Sequence, residues 1–186
     1  MDGRPSKTEK LLILGSSNVK RFYRPHIFLR QKLLPTYVQT FTLDQVLQTK
    51  TMDHKIIFIH TINNELKSLC QSNKDLSLLE KDISEICKTL FAFVDSLLDN
   101  GKLVALALLT KRKDVVKSKS HLRNYANMLI HNKYDNVQKV TLIYSDDIAD
   151  NFKLQQDGFH FTKVAGEIYI NRISMVIRTW LDNLHL

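Results

Sequence analysis

Ser17 stands where an apolar run, Leu11-Leu12-Ile13-Leu14, breaks at Gly15 into Ser16-Ser17-Asn18. Toward the other end, Asp157-Gly158-Phe159-His160-Phe161 sets a carboxylate and an imidazole three residues apart. A serine hydroxyl is a weak nucleophile at neutral pH until a base takes its proton. Imidazole titrates near working pH, which makes His160 the natural base and Asp157 the group that orients it. These residue types suit ester hydrolysis through an acyl-enzyme. The oxyanion formed on the way would lie against the backbone N–H of Ser17, where a starting helix favours negative charge. Taken singly, Ser17-Asn18 also reads as a helix cap and Asp157-Gly158 as a plain turn. Their order along one chain favours a site.

That site needs a scaffold. Short apolar strands alternate with longer helical patterns, the mark of a parallel α/β sheet. Strands are expected near Leu11–Leu14, Tyr37–Phe41, Lys55–His60, Lys102–Leu109 and Gln138–Tyr144. The surest helix runs from Asp75 to Asp99, with Leu79, Ile83, Ile86, Leu90, Val94 and Leu97 at helical spacing and Asn100-Gly101 as its stop. A second spans about Ser120 to His131, with Leu122, Tyr125, Leu129 and Ile130 as its buried face. The last runs from about Lys163 to Leu184 and buries Ile168, Ile173, Val176, Ile177 and Trp180. The stretch from Ser145 to Gln156 reads as irregular. In such sheets functional groups gather at the carboxyl ends of strands. Ser17, Asn63, the loop Thr110–Lys119 and the Asp157/His160 turn all fall on that rim.

At this point the chain resembles the SGNH (GDSL-like) hydrolases over nearly its whole length. Gly15-Ser16-Ser17 stands where their Gly-Asp-Ser block stands, and Thr61-Ile62-Asn63-Asn64 is similar to their Gly-x-Asn-Asp block. Asp157, His160 and Gly166 match their closing Asp-x-x-His and the glycine after it. The resemblance implies a three-layer α/β/α sandwich around a mostly parallel five-stranded sheet, SGNH hydrolase-like and flavodoxin-like. It also implies a serine esterase or acyl hydrolase with Ser17, His160 and Asp157 as triad, no cofactor or metal, and a small ester as substrate. The Asn63 amide would be a second oxyanion donor beside the Ser17 N–H. The family takes another donor from a glycine after the second strand; here no glycine stands there, and the nearest place is around Thr42. Three supporting positions depart from the pattern: Ser16 and Asn64 replace aspartates, and Thr61 replaces a glycine.

The chain has 186 residues, 44% hydrophobic and 25% charged, which suits one globular domain with a full core. Residues 1–9 read as a disordered basic tail and 10–186 as a single domain. No apolar run is long enough for a bilayer span, no signal peptide is read at the start, and only two cysteines occur, so an intracellular, reducing location is expected, cytoplasmic or nuclear. No Walker-type loop follows any strand, and the histidines show no metal-ligand spacing. A net charge of +8 favours polyanionic partners. Lys20, Arg21 and Arg24, with Phe22 and Tyr23 interleaved, form one basic cluster; Lys111, Arg112, Lys113, Lys117, Lys119 and Arg123 form another. These support a rival reading, a non-catalytic module of the same fold that binds RNA or DNA. The OSK domain of Oskar, an SGNH-like domain that binds RNA without catalysis, is similar in fold, size and basicity.

Overall fold

The computed structural model describes residues 8–111, 113, 119–152 and 154–185. Three apolar segments, β1 (Glu9–Gly15), β3 (Ile56–His60) and β4 (Leu103–Ala107), form the centre of a five-stranded sheet. Continuous apolar strands of this kind are buried on both faces, as parallel sheets require. The edges are β2 (Leu33–Gln39) and β5 (Val140–Ile143), giving the order β2-β1-β3-β4-β5 with every pairing parallel.

Alternation along each strand splits the core into two halves. Leu11 and Ile13 of β1, with Ile56 and Phe58 of β3, face one layer of helices. That layer comprises α1 (Ser17–Phe22), α2 (Pro25–Arg30), α7 (Asp146–Phe152) and α8 (Lys163–Asn183). Leu12, Leu14, Ile57 and Ile59 face the other, made of α3 (Leu43–Leu47), α4 (Asn63–Gln71), α5 (Leu76–Asp99) and α6 (His121–Tyr134). The expected three-layer α/β/α sandwich is therefore present, with its sheet wholly rather than mostly parallel. Cys70 and Cys87 are both buried. Among the described residues no helix is long and apolar enough to cross a membrane.

Several boundaries differ from the expectations. The second strand begins at Leu33 and ends at Gln39, not at Tyr37 and Phe41. As an edge strand it tolerates Pro35 and is half-exposed, so its hydrophobic pattern is weak. Residues 145–156 are not irregular throughout: α7 opens with Asp146 and Asp147 in its first turn and buries Ile148 and Ala149. On α6 the buried stripe is Leu122, Ala126, Ile130 and Tyr134, while Tyr125 and Leu129 are half-buried. Ile173 and Ile177 are buried on α8 as expected, whereas Ile168, Val176 and Trp180 only partly are. Glu9, assigned to the tail, lies in β1 and is buried; residues 1–7 lie outside the described residues.

The helix pair α1 and α8 shows how close the packing is beside the future site. A β-carbon added to Gly166 would stand 2.2–2.4 Å from ring carbons of Phe22, so the glycine of the closing block serves helix contact rather than a turn. Gly166→Ala should destabilise the fold by about 1–3 kcal/mol through overpacking. That outweighs the gain of about 1 kcal/mol that alanine brings inside a helix. Urea denaturation checks it, and an unchanged or higher midpoint would contradict the close packing.

Candidate active site

In this strand order the connection reverses between β1 and β3, and the crevice at their carboxyl ends is the expected place for a ligand. β1 delivers Ser17 there. Gly15, the last residue of the strand, pairs with His60 of β3 and Gln39 of β2. A β-carbon on Gly15 would come within 2.7 Å of the Val19 β-carbon, so the sharp entry into α1 needs glycine. Ser16 is the N-cap residue of α1 but makes no side-chain cap, and Ser17 is the first helical residue.

The Asp157–His160 segment is a tight turn organised around its own carboxylate. Asp157 Oδ1 accepts from the backbone N–H groups of Phe159 and His160, both at 2.9 Å. Its Oδ2 lies 2.5 Å from His160 Nδ1. Gly158 holds φ +67°, a left-handed conformation that glycine adopts freely. The His160 ring and the two backbone donors hold Asp157 well below the usual carboxylate range. An ionised carboxylate can only accept, so Nδ1 carries the hydrogen and Nε2 presents its lone pair. Ser17 Oγ lies 3.0 Å from that Nε2, in position to donate.

The structure thus brings together the three residues singled out from sequence. What holds them was not foreseen. Asn18 reads as a cap in sequence but is fully buried, and its amide bridges α1 to the turn. Its Nδ2 donates to Phe159 O at 3.4 Å, and its Oδ1 accepts from Phe161 N at 3.2 Å. Gln155 adds a backbone bond to His160 O at 2.7 Å, and Lys113 N donates to Gly158 O at 2.8 Å.

Asn63 opens α4 at the end of β3 and is buried, with Nδ2 3.3 Å from Thr61 O. The residue before it, Ile62, sits at φ 57°, ψ 2°. A β-branched residue in the left-handed region is strained, and such strain clusters at functional sites. The same helix turn grips the loop after β2. Asn64 Nδ2 donates to Phe41 O at 2.7 Å, and Glu65 Oε1 accepts from Leu43 N at 2.5 Å. Thr40 N donates to Gly15 O and Phe41 N to Gln45 Oε1. Among the described residues, the Thr42 N–H alone in this loop has no acceptor.

Ser16, in place of an aspartate, bonds to His60 Nδ1 at 2.9 Å inside the protein. His60 is fully buried, its Nε2 has no hydrogen-bond partner among the described residues, and Tyr169 lies edge-on with ring centroids 6.0 Å apart. Its one sequence signal was a polar residue closing an otherwise apolar strand.

The basic clusters are less free than their sequence suggests. Phe22 is buried, and Tyr23 stacks on Tyr37 at 5.0 Å, so neither is a platform for bases. Lys20, Arg21 and Arg24 are exposed, the last two tied locally to Gln155 Oε1 and Tyr23 O. Lys111 pairs with Asp150 and Arg123 with Asp146. Lys113 is exposed, Lys119 reaches Ser72 O, and Arg112 and Lys117 lie outside the described residues.

The sequence matches no family profile and no curated protein. The fold does find relatives among solved structures. The chain is similar to the lipase Lip_vut3 from a goat rumen metagenome with a TM-score of 0.71 and 14% identity, over 93% of this chain and 97% of that one. It is similar to the acetyl xylan esterase AlAXEase with a TM-score of 0.65 and 13% identity, over 90% and 99%. A third is the C-terminal catalytic domain of the Streptococcus pneumoniae peptidoglycan O-acetyltransferase A, with a TM-score of 0.63 and 13% identity, over 95% and 97%. The fold is that of the SGNH/GDSL-like hydrolases.

Burial pushes the His60 imidazole down to about 4. Between the unfolded value near 6.5 and that point, the unfolded chain binds a proton that the folded chain does not, so stability falls as pH drops. From pH 7 to pH 4 the native protein should lose about 3 kcal/mol more than His60→Asn. Urea titrations at both pH values measure it, and parallel losses would remove His60 as the cause.

Proposed function

We infer that this chain is a serine ester hydrolase of SGNH type. The observation that carries the reading is the continuous relay from Ser17 Oγ to His160 Nε2 at 3.0 Å and from Nδ1 to Asp157 at 2.5 Å. Likeness of fold to lipases and esterases supports it. In this reading Ser17 Oγ attacks the ester carbonyl carbon while its proton passes to His160 Nε2. The oxyanion is met by the Ser17 N–H and by Asn63 Nδ2. The Thr42 N–H, left without an acceptor between two clamped neighbours, takes the place of the donor that a glycine supplies elsewhere. His160 then gives its proton to the departing alcohol, leaving Ser17 acylated. Water, deprotonated by the same imidazole, releases the acid and restores the serine. Asp157 stays ionised throughout and stabilises the imidazolium.

The nucleic-acid alternative needs open cations and exposed aromatic faces. Phe22 is buried, Tyr23 is stacked on Tyr37, and Lys111 and Arg123 are engaged by carboxylates, so the hydrolase reading is better supported.

A fluorophosphonate probe should label the native protein, and Ser17→Ala and His160→Ala should each abolish labelling. Absence of labelling on folded native protein would refute the reading. Asp157→Asn should leave the fold intact and lower kcat for p-nitrophenyl acetate on the order of 10³–10⁴-fold, because the wrong imidazole tautomer then faces Ser17. Asn64→Ala, which frees Phe41 O, should lower kcat roughly tenfold with KM nearly unchanged, since it loosens a donor rather than removing one. A change in KM alone would place Asn64 in ground-state binding instead.

A further inference from the structure

Between Lys10 and Leu43 the chain carries six cations, Lys10, Lys20, Arg21, Arg24, Arg30 and Lys32, and not one carboxylate. That stretch alone supplies +6 of a net charge of +8. It folds into β1, α1, α2 and β2, which together make one edge of the molecule. All six cations are exposed. Among the described residues none of them pairs with a carboxylate, and Arg21 and Arg24 meet only the neutral oxygens of Gln155, Tyr23 and Arg21. Glu9, just before the stretch, is buried and turned to Lys55. The helix packed on α1 and α2 is α8, and it brings one carboxylate, Glu167, to this side. Glu167 lines a groove of about 270 Å³ between α2 and α8, where the described lining also holds Arg24, His26 and Arg30.

Like charges gathered on one edge repel one another, and a surface of opposite charge relieves that repulsion. The apolar residues among the cations say which surface. Phe22 and Phe28 are buried and Tyr23 is stacked on Tyr37, so the aromatics interleaved with the cations offer no face to nucleic-acid bases. Phe41 is exposed but stands apart, in the loop at the far end of β2. What the edge does expose is aliphatic: Leu29 of α2 is 50% exposed and Leu34 of β2 48%. A leucine gains nothing against a phosphate backbone, whereas among acyl chains it is removed from water. Cations around aliphatic side chains are the composition of a surface that rests at a bilayer interface.

We propose that the edge made by α1, α2 and β2 docks this protein on a membrane surface of anionic phospholipid. The cations lie against the headgroups and Leu29 enters the outer acyl region. The docking does not depend on Ser17 being a nucleophile. Each cation brought against an anionic leaflet strengthens binding roughly fivefold.

The test is co-sedimentation of the full chain with vesicles of phosphatidylserine and phosphatidylcholine in equal parts, and of phosphatidylcholine alone. The native protein should prefer the anionic vesicles at least about tenfold, and NaCl at about 0.5 M should remove most of that binding. Lys20→Glu combined with Arg30→Glu should cut the partition at least about 25-fold. Lys81→Glu combined with Lys88→Glu, on exposed positions of α5 in the opposite helix layer, changes net charge equally and should cut it less than about threefold. Leu29→Asn should lower it roughly threefold and leave its salt dependence unchanged. If circular dichroism shows the first pair unfolded, Lys20→Gln with Arg30→Gln takes its place, with a loss of roughly 25-fold expected. Equal binding to both vesicles, equal losses from the two α-helical layers, or no effect of Leu29→Asn overturns the proposal. Retention on polyuridylate rather than on anionic vesicles, with both present at equal phosphate, makes the partner a nucleic acid and overturns it as well.

Discussion

One buried amide ties the two ends of the chain together. Asn18 gives its Nδ2 to Phe159 O and takes Phe161 N on its Oδ1, so α1 and the turn around His160 move as one piece. A buried amide left unpaired would cost about 1–3 kcal/mol for each missing partner, and here both ends are satisfied. Ser17 is the neighbour of Asn18 and His160 lies between the two residues it binds. The 3.0 Å approach of Ser17 to His160 is thus a consequence of a contact that does no chemistry.

The sheet supplies the second constraint. β1 and β3 are adjacent, in register and apolar on both faces, which leaves their carboxyl ends as the place where polar side chains can gather without spoiling the core. Ser16 and His60 meet below that rim, each satisfying the other at Nδ1, where an acidic residue would have been a buried charge. Burial keeps this histidine neutral, so it is suited to holding the Ser16 turn and unsuited to taking protons from a substrate. The imidazole that faces the crevice is His160, partly open to solvent.

The drifted motif positions have found other structural work. Asn64, in place of an aspartate, and Glu65 beside it fix the loop after β2 from both sides of Thr42. Ile62 holds a strained backbone so that Asn63 starts its helix at the strand end. Asn64 and Glu65 are tertiary compensations: each bonds a segment some twenty positions away, where sequence spacing carries no information.

The order of the strands along the chain, the long helices α5, α6 and α8, the buried character of the central strands and the candidacy of Ser17, Asp157 and His160, which the fold brings within hydrogen-bond reach, were legible from the sequence. Apolar runs, helical periodicity and a three-residue Asp–His spacing are local properties, and local rules read them. The edge strand β2 and the short helix α7 were not, because an edge is half-exposed and a seven-residue helix offers too few turns to show a period. The roles of Asn18, His60, Asn64 and Glu65, and the inward turn of Phe22, were decided by tertiary structure alone. Their meaning lies in partners distant along the chain, and a polar or aromatic residue does not reveal, before folding, which distant backbone or ring it will meet.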